Sequence, residues 1–284
     1  MGPRSNPRGA PLKKILNLMK IYCLSIYNEN YSLYKKLGFL PVGLGKKNFS
    51  NNWLNDRRGK NIYKKNKHYG EYTFHYNYWK NFLKKEKNNE WIGFCTYRRF
   101  WIKNSNKIPK NITELNKLVI KSPPKDWKTY DVILTNPIKI NKIKNMKLIK
   151  RNIFEVLKKP SVLVKKNTLE EHFNIFHGSY FLKESIKILS KKDRLGFSKF
   201  LKKHKFNAFN MFICKNKKIL EQYYKIIFPW LFKCENKFKN VKLQGYDRVR
   251  IYGFLAERFM PYWFKSRYRV FENKICYLDT HIAK

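Results

Sequence analysis

Two adjacent arginines, Arg98 and Arg99, close the apolar run that opens at Trp91, at the point where a strand would ordinarily give way to turn residues. Paired guanidinium forks can grip an anion bidentately, which an ammonium group cannot. Open α/β sheets, moreover, bind ligands beyond the carboxyl ends of their strands. The pair suits a diphosphate, with ordinary ion pairs as the plain alternative. A regular strand turns successive side chains to opposite faces, so both arginines can share one anion only if at least one lies in the following loop.

A second constellation lies in residues 244–259, QGYDRVRIYGFLAERF. At helical spacing Val249, Tyr252, Leu255 and Phe259 make a core stripe, and Asp247, Arg250, Gly253 and Glu257 make another. Two carboxylates and an arginine then surround a glycine, with Arg258 beside them, so a ligand could approach the backbone between charged groups. A mid-helix glycine costs about 1 kcal/mol relative to alanine and asks for a packing or access reason. A solvated face of i,i+3 ion pairs would give the same pattern. Cys23, Cys95, Cys214, Cys234 and Cys276 show no CxxC pair or zinc-ligand spacing, which suits a reducing cytoplasm. His68, His172, His204 and His281 have no ligand-like spacing.

The elements that must position these groups can be read coarsely. Residues 20–27 read as a first strand. Residues 38–61, with Gly38, Pro41, Gly43, Gly45 and many asparagines, read as loop. A helix is expected over 68–85, with Tyr72, Tyr76, Trp79 and Leu83 on one face and Glu71, His75 and Tyr78 on another. Strands follow at 91–97 and 130–135, the latter stopped by Asn136-Pro137. The lysine-rich span 138–168 has no clear pattern. Helices are expected at 169–190, 194–204, 217–234 and 245–260, and a strand at 209–214. This alternation predicts a single α/β domain over 19–270. Residues 1–18 read as a disordered arm or expression scar, and 271–284 as a C-terminal tail.

The chain has 63 Lys+Arg against 19 Asp+Glu, a formal net charge of +44, yet 43% hydrophobic and 17% aromatic residues argue against disorder. No apolar run approaches the roughly 20 residues that span a bilayer. The lysines are scattered and accompanied by Asn, Ile, Tyr and Phe, residues favoured by AT-rich codons. The charge therefore supports an anionic partner without specifying nucleic acid. A basic nucleic-acid-binding protein is an alternative, although no helix-turn-helix, zinc-finger or RNA-recognition signature is present. Residues 217–240 mix lysine with Ile, Phe, Trp and Tyr and fit either an anionic membrane surface or a core helix, with Pro229 kinking or restarting it.

A series of short motifs in order then resembles the DUF4422 family. They are Lys65-Asn66 with Glu71-Tyr72-Thr73, Tyr78-Trp79-Lys80-Asn81, Ile92-Gly93-Phe94 with Tyr97-Arg98-Arg99-Phe100, Tyr130 to Leu134, His177, Asn210 to Ile213, and Gly253 to Arg258. The resemblance covers residues 19–265. It departs from the family pattern at Thr96, where members usually have His, and at Arg248, where they tend to have Gln.

The family comprises bacterial capsule, exopolysaccharide and lipopolysaccharide glycosyltransferases, some of them galactofuranosyltransferase-like. The resemblance therefore implies a single GT-A-like nucleotide-sugar-binding domain with a central mostly parallel sheet flanked by helices. It implies transfer of a hexose from a nucleotide-diphosphate sugar, a UDP-sugar being favoured, to a lipid-linked or polysaccharide acceptor, with inversion. A non-catalytic carbohydrate-binding relative is the alternative within the family. Departure of a nucleoside diphosphate develops charge that a fixed cation must stabilise. Mn or Mg could supply it, but the chain has no Asp-x-Asp motif, so Arg98, Arg99 and His177, with Arg250 and Arg258, are expected on the diphosphate. Glu257, then Asp247, are expected as general base. Glu71 with His75 is a third candidate. Tyr27 and Asn28 beyond the first strand are expected at the nucleobase, and Asn66 and Asn210 at the ligand or backbone. A cytoplasmic location, peripheral on an inner membrane, follows from such an acceptor.

Overall fold

The computed structural model describes residues 19–105, 107–140 and 167–280. The expected N-terminal arm, His281 and most of the lysine-rich span fall outside these described residues. The main sheet contains β1 (Met19–Ser25), β2 (Leu40–Gly43), β3 (Leu54–Asn55), β4 (Trp91–Thr96), β5 (Arg99–Trp101) and β6 (Val132–Thr135). A small ribbon pairs β7 (Ile138–Lys139) with β8 (Lys205–Phe206). The main sheet is completed by β9 (Phe212–Cys214), β10 (Val270–Asn273) and β11 (Ile275–Tyr277). Its order is β10-β6-β9-β4-β1-β2-β3, with β5 joining β4 to β11 off the main path. Along that path β9 alone is antiparallel to its neighbours, so the sheet is mostly parallel, as expected.

Alternation within the strands feeds two cores. Tyr22, Leu24, Phe94 and Leu134 face one layer, and Ile21, Cys23, Cys95 and Ile133 the other. A sheet covered on both faces explains why β4 and β6 read as unbroken apolar runs. The second layer holds α1 (Tyr31–Lys36), whereas α2 (Asn66–Tyr69) and α3 (Tyr72–Asn81) pack on the first. Next come α4 (Ile112–Leu118) on the second face and α5 (Leu169–His177), α6 (Ser179–Lys187), α7 (Lys191–Leu201) and α8 (Lys217–Phe238) on the first. The first layer ends with the short α9 (Tyr246–Val249) and the long buried α10 (Ile251–Lys265).

Several elements differ from expectation, each for a local reason. The supposed loop at 38–61 contains β2 and β3; Pro41 is tolerated because β3 pairs only from Val42 onward, leaving the proline a neighbour on one side. The expected helix over 68–85 breaks at Gly70, where φ is +57°, and that over 169–190 breaks at Gly178, where φ is +93°. His75 and Tyr78 are buried with Tyr72, so α3 is not amphipathic in the way its charged residue pattern suggested. Helix α8 runs through Pro229 to Phe238 without a break, and its aromatic residues Tyr223, Tyr224, Phe228 and Trp230 fill the core. That placement gives these aromatic residues the core-helix role of the two expected for 217–240. The segment 245–260 divides at Arg250. The supposed tail supplies β10 and β11, whose hydrogen bonds complete the sheet beside β6 and β5.

Candidate active site

The arginine pair sits on a two-residue hairpin. Thr96 pairs with Arg99, which leaves Tyr97 and Arg98 in the turn and sets Arg99 at the start of β5. This is the arrangement that lets consecutive side chains escape strand alternation. Tyr277, opposite Arg99 on β11, has its ring centre 6.0 Å from the Arg98 guanidinium carbon and 5.7 Å from that of Arg99. Both guanidinium groups therefore pack against the same tyrosine ring. Arg98 also lies over Tyr97 and is 3.9 Å from Asp279. Arg99 lies 4.2 Å over the Phe209 ring, and among the described residues its guanidinium makes no hydrogen bond or ion pair. Burial, then Arg98, pulls the Arg99 pKa down, with Glu257 and Glu71 opposing, yet a guanidinium stays charged at neutral pH.

Phe209 links the hairpin to α10. Its N–H donates to Glu257 Oε1 at 2.7 Å, while Arg258 donates to Oε2 at 2.9 Å. Phe209 and Asn210 have φ of +80° and +53°, a region that non-glycine residues occupy only when their surroundings compel it. Asn210 donates to the Gly253 carbonyl at 3.4 Å, so its amide braces this bend against α10. Arg258 is 2% exposed; it covers the Phe206 ring and approaches His172 Nδ1 at 3.1 Å. Burial lowers its pKa, and Glu257 opposes that shift.

Arg250 and Glu71 form a second pair at 3.0 Å. Burial alone would raise the Glu71 carboxyl, but Arg250 and nearby hydrogen bonds hold it below the usual range; Glu71 in turn raises Arg250. The glycines beside this pair are occupied by packing. A Cβ on Gly70 would fall 2.4 Å from the Arg250 guanidinium, and one on Gly253 would meet the Tyr69 carbonyl at 3.3 Å. The opening imagined at Gly253 is thus filled by the α2 backbone. Arg99, Arg250 and Arg258 all sense the Glu257 carboxylate, so three cations and two carboxylates leave the cluster net positive.

A cavity of about 790 Å³ opens beside this cluster, with Glu257, Arg258, Asp247, His172 and His177 on its polar side and Phe206, Phe209 and Phe254 among its aromatic walls. Thr168 caps α5 through a reciprocal box with Glu171, which fixes the helix bearing both histidines. His177 Nδ1 is 2.7 Å from the Asp247 carbonyl, and its ring stacks on Phe254 at 4.2 Å. Burial, reinforced by Arg258, pushes its pKa down to about 3 despite the Asp247 hydrogen bond. The expectation of His177 as an accessory cation is therefore corrected: it is uncharged at neutral pH. Asp247 reaches the cavity from α9, not from a continuous stripe with Glu257.

Tyr27 and Asn28 lie outside this cavity, at the end of β1 beside the hairpin. Tyr27 meets Tyr97 edge-on at 5.1 Å and carries the Lys47 ammonium 4.7 Å above its ring; Asn28 donates to the Asn48 carbonyl. Asn66 serves the backbone, donating to the Gly70 carbonyl and the Thr73 hydroxyl. Among the described residues, no group of three or more His, Cys, Asp or Glu is placed to hold a metal ion. Sequence reasoning passed over His172, Phe209 and Tyr277. His172 carried a weak signal, as it shares α5 with His177, but nothing local marks Tyr277.

The fold defines the chain as an α/β protein with a central, mostly parallel sheet flanked by helices. It is similar to the apo structure of WbbM, a bifunctional glycosyltransferase, with a TM-score of 0.68 and 18% identity over 93% of this chain and 46% of that one. The chain thus spans less than half the length of that structure. No curated protein sequence matches. Residues 20–268 match the family described as a domain of unknown function, DUF4422, and the chain belongs to that family.

Proposed function

We propose that the protein is an inverting glycosyltransferase that moves a hexose, galactofuranose being the first candidate, from a UDP-sugar to a surface-polysaccharide or lipopolysaccharide acceptor. The observation that carries the reading is Glu257, fixed between the Phe209 N–H and Arg258 at a cavity wall, with the otherwise uncommitted Arg99 within electrostatic reach. The similarity to WbbM, a bifunctional glycosyltransferase, supports it.

In this reading the acceptor oxygen bonds to the anomeric carbon as the bond to the diphosphate breaks. Glu257 takes the hydroxyl proton, and each of its oxygens keeps a lone pair beyond the hydrogen bond already made. The departing UDP carries away the electron pair, and Arg99 with Arg98 stabilises its charge. Arg258 keeps Glu257 ionised, and Arg250 with Glu71 braces the start of α10. Tyr27 stands where the base would lie, beyond β1, with Asn28 beside it. Asp247, at the cavity rim, is the second candidate base. The guanidinium groups supply the charge that Mn or Mg provides elsewhere, so turnover is expected to survive EDTA. Among the described residues no helix is long and apolar enough to cross a membrane. A lipid-linked acceptor would be met at an anionic surface through the +44 charge, which flotation with anionic vesicles tests.

The direct test is UDP release from UDP-galactofuranose, UDP-galactopyranose and UDP-glucose, with a short oligonucleotide as binding control. Release from one donor, lost in Glu257→Gln with UDP binding retained, supports the reading. Binding of the oligonucleotide without any UDP-sugar would overturn it.

A further inference from the structure

The two cavity histidines have complementary hydrogen-bonding states imposed by their neighbours. An arginine guanidinium has only donors, so His172 Nδ1, 3.1 Å from Arg258, must accept; the proton of a neutral His172 then resides on Nε2. A carbonyl only accepts, so His177 Nδ1, 2.7 Å from the Asp247 carbonyl, must donate, which leaves the Nε2 lone pair bare. Both imidazoles are held neutral, His172 being pushed down to about 2 by burial, Arg258 and His177. Both line the cavity, and among the described residues neither Nε2 has a hydrogen-bond partner. His177 is 4% exposed and lines the cavity, so the little surface it keeps belongs to a wall where a ligand can take up its remaining hydrogen-bonding capacity.

A ligand that satisfies one fixed donor and one fixed acceptor must itself accept and donate from nearby atoms, without a charge. Neighbouring hydroxyls of a sugar ring do this, and the ring's C–H face suits the aromatic walls at Phe254 and Phe209. We propose that His172 and His177 form a sugar-reading pair, His172 Nε2–H donating to one hydroxyl and His177 Nε2 accepting from another, so that the cavity selects the hexose presented to Glu257. This rests on the transferase reading for the sugar being a substrate, not for the site itself. Both residues are specificity-determining groups; neither exchanges a proton with the reacting centre.

The test uses the full chain labelled with ¹⁵N at histidine. The imidazole correlations are expected to show the Nε2–H form for His172 and the Nδ1–H form for His177 at neutral pH. Methyl β-D-galactofuranoside or methyl β-D-galactopyranoside should shift both Nε2 resonances, and UDP-galactofuranose should do so only if the site holds the donor sugar. Shifts with the glycosides alone assign the acceptor. In turnover, His172→Gln and His177→Asn should raise the KM of the sugar-bearing substrate about tenfold or more while changing kcat little, because a missing hydroxyl contact is a binding loss. Identical tautomers, or UDP-sugar turnover with unshifted imidazoles, would overturn the pair and leave the transferase reading standing. Glycoside shifts without turnover of any UDP-sugar would keep the pair and sink the transferase reading. If the variants do not fold, the labelled wild-type chain still decides.

Discussion

Two polar regions far apart in sequence, one around Asp56 and one around Glu257, are used in opposite ways. Around Asp56, the carboxylate accepts from the Gly45 N–H and the Thr73 hydroxyl, and Asn66 ties Thr73 to the Gly70 carbonyl. Every hydrogen bond there closes on the protein itself. Around Glu257 the groups are less completely buried, and an arginine and two imidazole nitrogens are left uncommitted beside a cavity of about 790 Å³. The lesson is that motif membership does not separate a brace from a site: Asn66 and Thr73 belong to the same family pattern as Glu257. What separates them is whether polar capacity remains after the fold has taken its share.

Acid should pull the regions apart with opposite signs, and this is the largest expected effect. The folded-state pKa values of His172 and His177 lie well below 6.5, so their contribution is complete above that pH and is lost as pH falls toward 3. Between pH 6.5 and 5 each costs about 2 kcal/mol, and His75, buried in the core and down to about 3, adds a similar amount. Asp56 is raised to about 6, chiefly by burial, so its contribution is present below 3.8 and lost as pH rises to 6. Acidification to pH 5 recovers only about 1 kcal/mol there. Thermal melting should therefore fall from pH 7 to 5, and Asp56→Asn should look relatively more stable at pH 7 than at pH 4.5. A melting temperature flat over this range would break the comparison.

Next in size, Glu257→Gln should lower turnover per folded molecule by about 10³ and lower melting too, since the amide oxygen can accept from the Phe209 N–H but the amide NH2 leaves buried Arg258 without its carboxylate. Asp56→Ala should cost about 2 kcal/mol through the orphaned Gly45 and Thr73 donors, but with activity per folded molecule retained. Equal effects of both variants on turnover would erase the distinction between brace and site. Arg98→Ala should weaken UDP binding by about tenfold, less than Arg99→Ala, because Asp279 already faces Arg98. Isothermal titration with UDP checks the order. The smallest effect belongs to Gly253→Ala. The helix gains about 1 kcal/mol, and the 3.3 Å approach to the Tyr69 carbonyl takes most of it back, leaving melting close to wild type.

Much of the frame was legible before the structure. The strands near 19–25, 91–96 and 132–135, and the long helix from 217, carry their periodicity and apolar content on the surface of the sequence. The boundaries at Gly70 and Gly178 were not, because one glycine inside a helical pattern marks a break only when its φ is positive. Strand β2 hid behind Pro41 and Gly43, and β10 and β11 behind a charged C-terminal stretch.

For the site, residue type was sufficient to nominate Arg99 and Glu257, since paired guanidiniums and a carboxylate in a glycine-bearing helix are local facts. The sequence by itself determined the inventory of charges, the core strands and the family pattern. Only the tertiary structure decided that Arg98 lies in a turn, that Phe209 delivers its N–H to Glu257, and that Tyr277 packs against both arginines. It also decided that His177 is neutral and that the opening at Gly253 is filled. Burial and hydrogen-bond partners set protonation and access, and both depend on residues far away in the chain.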